Sequence, residues 1–165
     1  MSLSQPISQI LKLKLPAVLT VALLAGQYLV FGQNSEKDPQ CGVIVQKPHH
    51  STYLKEFADL DAIKVNVTVT CTVNQEFAVI DVQLMTKINN SPAKEISFNQ
   101  VKGFPSSQDR KTTRFEDIFV PCNYGKQAMY LSRIVGKVHL AQGGSKVISG
   151  DSGEFKSAKC QIIAE

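Results

Sequence analysis

Strict alternation of apolar and polar residues over Ile63–Val73 constrains the fold of this chain more than any other feature. In this segment, IKVNVTVTCTV, six apolar positions alternate with five polar ones. Side chains of a β-strand point alternately to the two faces of a sheet, so the pattern predicts a strand with one buried and one solvated face. Most of its residues are valine or threonine, which fit a pleated surface well. A sheet with one wet face is usually antiparallel.

Other segments with strand character follow at short intervals. The polar connection NQE leads from Ile63–Val73 into Phe77–Ile88, which predicts an antiparallel hairpin. The remaining predicted strands are Cys41–Gln46, Glu95–Val101, Arg114–Pro121, Gln127–Ala141, the short segment KVIS and the final segment EFKSAKCQII. Helical spacing of apolar residues occurs only in Thr52–Ala62. About seven strands separated by turn signals predict an all-β fold, an antiparallel immunoglobulin- or fibronectin-like β-sandwich.

The first 32 residues differ in composition from the rest of the chain. Two lysines precede the apolar run LPAVLTVALLA, and GQYLVFG follows it before the polar segment QNSEKDPQ. This order is typical of a secretory signal peptide and predicts cleavage between Gly32 and Gln33. Because no charge interrupts the sequence from Leu15 to Ser35, an uncleaved membrane anchor is the alternative. Under either interpretation residues 36–165 are exported, because the lysines stay in the cytoplasm.

All four cysteines lie in the exported part, at Cys41, Cys71, Cys122 and Cys160. An even number in a small exported domain predicts two disulfides. If the first predicted strand lies antiparallel to Ile63–Val73, Cys41 meets Cys71. In the same way the final strand brings Cys160 toward Cys122. The predicted organisation is therefore a leader in 1–32, a linker in 33–40 and a disulfide-bonded β-sandwich in 41–165.

The charge balance points to no polyanionic partner. The formal net charge is +4, and Lys12 and Lys14 of the leader account for half of it, which leaves 16 basic and 14 acidic residues afterwards. This excess is small and spread evenly along the sequence, so neither nucleic acid nor an anionic membrane is a predicted partner. A membrane contact is expected only through the N-terminal segment, if it is not cleaved.

The segment GDSG, Gly150–Gly153, is the strongest catalytic candidate. The same four letters surround the nucleophilic serine of trypsin-like proteases, but Glu154 and Phe155 depart from the protease pattern. A serine nucleophile also needs a base, and none of the three histidines (His49, His50 and His139) lies in a motif that would orient it. Because Asp and Gly favour β-turns, GDSG is interpreted as the turn before the last strand.

No cofactor or metal site is predicted. His49 and His50 are adjacent, and neighbouring residues of an extended chain point to opposite faces, so the two cannot easily share one ion. No two cysteines form a CxxC pair, which argues against a zinc ribbon or a redox site.

Several surface features are candidates for recognition. Asn66 and Asn89 begin glycosylation sequons, which matter if the host is eukaryotic. Thr68, Thr70 and Thr72 form a polar ladder with Asn66, and this ladder has three interpretations: a recognition surface, an edge for strand addition, or simply the solvated face of the strand. The best candidates for binding loops are Gly103–Thr113 and Asn123–Gln127.

The predicted function is therefore that of an exported, non-enzymatic domain that binds a protein partner at the cell surface or outside the cell. The reason is a rigid, disulfide-bonded scaffold, on which function usually lies in loops. One alternative is a carrier of an apolar small molecule between the two sheets. Another is a small secreted hydrolase that uses Ser152 as its nucleophile.

Overall fold

A computed structural model describes residues 38–163, which form a mostly antiparallel β-fold with one short helix. The strands are β1 (Cys41–Val45), β2 (His49–His50), β3 (Ala62–Cys71), β4 (Gln75–Lys87), β5 (Lys94–Gly103), β6 (Thr112–Leu140), β7 (Ser145–Asp151) and β8 (Lys156–Ile162), and the helix α1 is Thr52–Ala58. The all-β prediction is confirmed. The predicted leader and its cleavage site after Gly32 lie outside the described residues.

Strand β6 connects the two halves of the fold. Its first part pairs with β3, which also pairs with β1 and β2, and its second part pairs with β4, β7 and β8. The sequence predicts two strands here, interrupted at CNYGK, and this prediction is wrong. Cys122, Asn123 and Tyr124 continue the ladder against β8, and a bulge takes up residues 125–127.

Both ends of β6 lie at the same end of the domain. The amide of Cys71 donates to the carbonyl of Lys111 at 2.9 Å, and the amide of Ala141 donates to that of Asn74 at 3.0 Å. The described chain enters at this end, which we call the proximal end. At the opposite, distal end lie α1, the start of β3 and the middle of β6.

The core lies between the two halves. Alternate side chains of β3 and β4 are completely or almost completely buried, as the period-two pattern predicts, and pack against inward side chains of β6. The buried set includes Ile63, Val65, Val67, Val69, Ile80, Val82, Leu84, Tyr130, Ile134 and Val138. Strand β1 packs closely on β7, where a Cβ added to Gly150 would lie 2.8 Å from Val43.

Two disulfides crosslink the fold, between the same pairs that the sequence predicts. Cys41 and Cys71 are directly opposite each other across β1 and β3, with Cα atoms 4.1 Å apart. Cys122 and Cys160 join β6 to β8, with a Cα separation of 5.4 Å. In the chain-entropy model, loops of 30 and 38 residues each stabilise the fold by about 3.5–4 kcal/mol. Such disulfides are typical of oxidising compartments.

A buried glutamine joins three strands near the proximal end. Gln75 is completely buried at the start of β4, although the sequence suggests a turn residue. Its side-chain amide donates to the carbonyl oxygens of Val69 and Lys111, and its side-chain oxygen accepts from Thr113 at 2.7 Å. β3, β4 and β6 are thus held together by one polar side chain.

Candidate functional site

Helix α1 has clear start and stop signals. At its N-terminus the hydroxyl of Ser51 accepts a hydrogen bond from the amide of Leu54 at 3.2 Å, as N-cap residues do. At its C-terminus Asp59 adopts a left-handed conformation with φ of 50°, and the amide of Leu60 donates to the carbonyl of Leu54. The helix is therefore shorter than predicted, and Ala62 already belongs to β3.

No side chain of α1 is buried. Tyr53 and Phe57 lie one turn apart on its outer side, and their ring centroids are 4.6 Å apart. Phe57 is 74% exposed, although an aromatic side chain of this size is normally placed in a core. The helix thus presents a pair of aromatic rings, tilted by 35° to each other, to solvent.

An ion-pair network ties α1 to the neighbouring strands. Lys55 contacts Asp59 at 2.8 Å and Asp61 at 3.1 Å, and the ring of His50 lies 2.8 Å from the other carboxylate oxygen of Asp61. Partial burial acts to raise the pKa of Asp61, but hydrogen bonds from Lys55 and His50 outweigh it and hold this pKa below its usual value. Asp61 is therefore a carboxylate that orients His50 and Lys55 at the distal end.

A second aromatic contact adjoins this network. The bulge in β6 exposes Tyr124, whose ring centroid is 4.9 Å from that of His50. We call the set His50, Tyr53, Phe57 and Tyr124 the distal aromatic surface. The set supplies aromatic rings, two phenol hydroxyl groups and one imidazole at one end of the domain, and this combination suits recognition of another molecule more than chemistry on it.

Of the two predicted loops, the structure shows the first as a loop and the second as part of a strand. Gly103–Thr113 is a loop only over residues 104–111, and it borders a shallow surface depression of about 330 Å³. Asn123–Gln127 is not a loop, because it lies inside β6 and its middle forms the bulge. All of its side chains are nevertheless exposed, and Tyr124 brings it into the distal aromatic surface.

The GDSG segment lies where β7 ends. Gly150 and Asp151 still belong to β7, and the Asp151 carboxylate accepts from the amide of Gly153 at 2.8 Å. Ser152 is only 6% exposed. Its hydroxyl accepts from the amide of Ser132 at 3.0 Å, and its own amide donates to the carbonyl of Ser132. These contacts fix the chain as it turns toward β8.

Each of the three histidines contacts a different partner. The ring of His49 contacts the carbonyl of Lys47 at 3.1 Å, His50 contacts Asp61, and His139 stacks on Phe77 at 4.2 Å. Residues 38–163 contain no group of three or more His, Cys, Asp or Glu side chains that could hold a metal ion. In the same part of the chain, no helix is both long and apolar enough to cross a membrane.

The remaining surface candidates lie on the outer side of the sheet. The side-chain nitrogen of Asn66, where a glycan would be attached, donates to the side chain of Gln46 at 3.0 Å. Asn89 is exposed in a turn with φ of 50°. Strand β3 lies between β1 and β6, so the idea that its threonine ladder is an edge for strand addition is wrong.

Sequence reasoning missed the distal aromatic surface. Tyr53 and Phe57 have the spacing of an amphipathic helix, and such residues usually face a core. Whether a neighbouring element covers them depends on the tertiary fold. Tyr124 was named only as part of a candidate loop, and nothing in the sequence relates it to His50.

Comparison with known proteins shows no family for this chain. No family model matches it, and no curated protein is similar to it. A solution structure of a protein assigned to the late embryogenesis abundant class aligns with 89% of this chain and 86% of its own, at 13% identity and a TM-score of 0.37. A likeness this distant supports no conclusion about fold or function.

Proposed function

We propose that this chain is an exported, non-enzymatic domain that binds a protein partner through the distal aromatic surface. The observation that supports the proposal most is the exposed, mutually contacting pair Tyr53 and Phe57 on a helix without a buried side chain. Exposed apolar clusters commonly mark interaction sites, and tyrosine in particular is enriched among residues that dominate binding energy.

The architecture supports this function in two further respects. The Cys122–Cys160 disulfide and the Asp61 network hold the distal end rigid, so little conformational entropy is lost when a partner binds. Two disulfides also favour an extracellular location, as the leader of residues 1–32 does. An immunoglobulin- or fibronectin-like strand arrangement remains part of this proposal.

The alternatives have less support. A carrier needs an apolar cavity between the sheets, and two depressions of the described surface, beside Phe104 and beside Val135, are lined mainly by polar side chains. A hydrolase needs an accessible nucleophile beside a base, and Ser152 is buried against the backbone of Ser132. Neither alternative therefore has an observation in its favour.

Site-specific photo-crosslinking on the full, exported chain tests the proposal. A photoreactive residue at position 57 is expected to give a discrete protein adduct, which a Tyr53→Ala change should weaken. The same probe at Ile44, which is 68% exposed on the outer side of β1, serves as the matched control. Both sites are exposed, so unfolding free energies should change by less than about 0.5 kcal/mol. Equal adducts at positions 44 and 57, or none at 57, would contradict the proposal.

A further inference from the structure

The proximal end carries a cluster of aromatic and basic side chains that the proposed function does not use. Phe77 of β4 stacks on His139 of β6, with ring centroids 4.2 Å apart. The ammonium group of Lys102 lies 4.0 Å from the ring centroid of Phe77 and 5.0 Å from that of Phe104. Phe104 directly follows β5 and is 64% exposed. The rings therefore lie around a solvent-accessible cation.

This cluster continues across the outer face of four strands. In the strand register Lys102 is opposite Val79, Val79 is opposite Lys137, and Lys137 is opposite Val147. These side chains alternate with the buried core residues, so they face away from the core, and Val147 is strongly exposed. Apolar and cationic groups thus alternate over one face of the sheet. We call Phe77, Lys102, Phe104, Lys137 and His139 the proximal patch.

The net charge of the described domain is concentrated at the same end. Residues 38–163 contain 15 basic and 12 acidic side chains. Six basic and three acidic ones lie in the proximal segments 38–42, 72–76, 102–114 and 137–146, namely Lys102, Arg110, Lys111, Arg114, Lys137 and Lys146 against Asp38, Glu76 and Asp109. The rest of the domain is balanced, with nine of each sign. The excess of basic over acidic residues, which is spread evenly along the sequence, is therefore concentrated at the proximal end of the folded domain.

The chain also enters the domain at this end. The amide of Gln40 donates to the hydroxyl of Thr72 at 3.1 Å, next to the Cys41–Cys71 disulfide. In the sequence, the apolar run of the leader precedes this point. If residues 1–32 are an uncleaved anchor, the linker 33–40 spans at most about 28 Å. The anchor would then tether the proximal end, and not the distal end, to the bilayer.

We propose that the proximal patch docks onto the surface of an anionic lipid bilayer. Phe104 enters the boundary between headgroups and acyl chains, and Lys102 and Lys137 lie at the level of the lipid phosphates. Basic residues near an anionic bilayer each favour binding, and aromatic rings add buried apolar area. Lysine suits this position because its stem lies along apolar groups while its charge stays in the polar layer. This contact is additional to any anchor in the N-terminal segment.

A single tryptophan provides the reporter, because the chain contains none. The full chain with Phe104→Trp is added to phosphatidylcholine vesicles that contain brominated acyl chains, with or without phosphatidylglycerol. We expect a blue shift and strong quenching of the tryptophan emission with phosphatidylglycerol, and a loss of both as the salt concentration rises. The matched variant Phe57→Trp places the reporter at the distal end and is expected to stay unquenched.

Charge variants test whether the patch itself carries the contact. Lys102→Gln with Lys137→Gln removes two proximal charges, and Lys126→Gln with Lys159→Gln removes two exposed distal ones. The proximal pair should lower the ratio of docked to undocked protein by about fivefold per lysine, and the distal pair should leave it nearly unchanged. Urea unfolding checks that both pairs stay folded.

Four results would overturn the proposal. The first is an unquenched Phe104→Trp reporter with phosphatidylglycerol vesicles, whether or not the chain binds them, and the second is equal quenching of that reporter without phosphatidylglycerol. The third is stronger quenching in the Phe57→Trp variant than in the Phe104→Trp variant, and the fourth is equal effects of the two lysine pairs. The first, second and fourth results do not involve the distal aromatic surface, so they would leave the proposed protein-binding function standing. The third would instead place the bilayer contact at the distal aromatic surface and would count against both proposals.

Discussion

Replacing Gln75 by leucine is expected to lower the free energy of unfolding by about 2–3 kcal/mol. The perturbation is nearly neutral in volume, so it removes hydrogen bonds without opening a large cavity. Gln75 is completely buried, and its side chain connects the backbone of β3 and of the β5–β6 loop with the side chain of Thr113 in β6. The change therefore isolates the polar connection between the two halves of the fold.

The magnitude follows from the three hydrogen bonds of this side chain. Each contributes about 1 kcal/mol net, and a buried group left without its partner costs about 1–3 kcal/mol. In the Gln75→Leu variant the carbonyl of Lys111 still accepts from the amide of Cys71, so the lost hydrogen bond to this carbonyl costs little. The hydroxyl of Thr113 has no such replacement among the observed hydrogen bonds of the described residues. Leucine buries more apolar surface than glutamine, which offsets about 1 kcal/mol of the total.

Urea unfolding of the oxidised chain, in a double-mutant cycle with Thr113→Val, measures this contribution. Thr113→Val alone should cost about 1–2 kcal/mol, because it leaves the side-chain oxygen of Gln75 without a donor. The double variant should cost about 1 kcal/mol less than the sum of the single changes. Gln83→Leu, the same substitution at an exposed position of β4, is the matched control. A Gln75→Leu effect no larger than that of the control, or strictly additive effects, would refute the reasoning.

Three further changes test other contacts of the structure. Tyr130→Phe should cost about 1–3 kcal/mol in urea unfolding, because its buried hydroxyl bonds two backbone groups of β8 at 2.5 and 3.0 Å, whereas Tyr124→Phe should be silent. Contacts in the folded state lower the pKa of Asp61 below 3.8, its value in the unfolded chain. The ionised Asp61 carboxylate therefore stabilises the fold above pH 3.8, and this stabilisation is lost as the pH falls through the folded-state pKa. Asp61→Asn should therefore flatten the fall of Tm below about pH 4, and an unchanged fall would contradict this assignment. Gly136→Ala should cost about 1–3 kcal/mol, since the added Cβ would lie 2.5 Å from a carbonyl oxygen of β4, and Gly42→Ala, with nothing within 4 Å, is its control.

Much of the strand pattern was predictable from residue order alone. The alternation in Ile63–Val73 indicates which side chains face inward, because successive side chains of a strand point to opposite faces whatever the rest of the fold does. The disulfide pairs follow from similar local reasoning. Adjacent antiparallel segments place the start of one strand beside the end of the other, and Cys41 lies directly opposite Cys71.

Predictions from local sequence patterns were wrong where residues distant in the sequence supply the hydrogen-bond partners of a segment or side chain. Pro121 suggests the end of a strand because it lacks an amide hydrogen, yet β6 continues past it. Pro121 pairs with Ala62 at the very end of the β3 ladder, and the following residues find partners in β8. The polarity of Gln75 suggests a turn, but its three hydrogen-bond partners come from β3, the β5–β6 loop and β6.

The sequence by itself determined the strand alternation, the disulfide pairs and the contrast in composition between residues 1–32 and the rest of the chain. These depend on side-chain period, on cysteine position and on composition, which are all properties of residue order. Only the tertiary structure decided that α1 leaves Tyr53 and Phe57 uncovered and that the excess of basic residues gathers at the proximal end. Exposure and electrostatic field depend on which distant segments become neighbours, and strand pairing through β6 sets those neighbours.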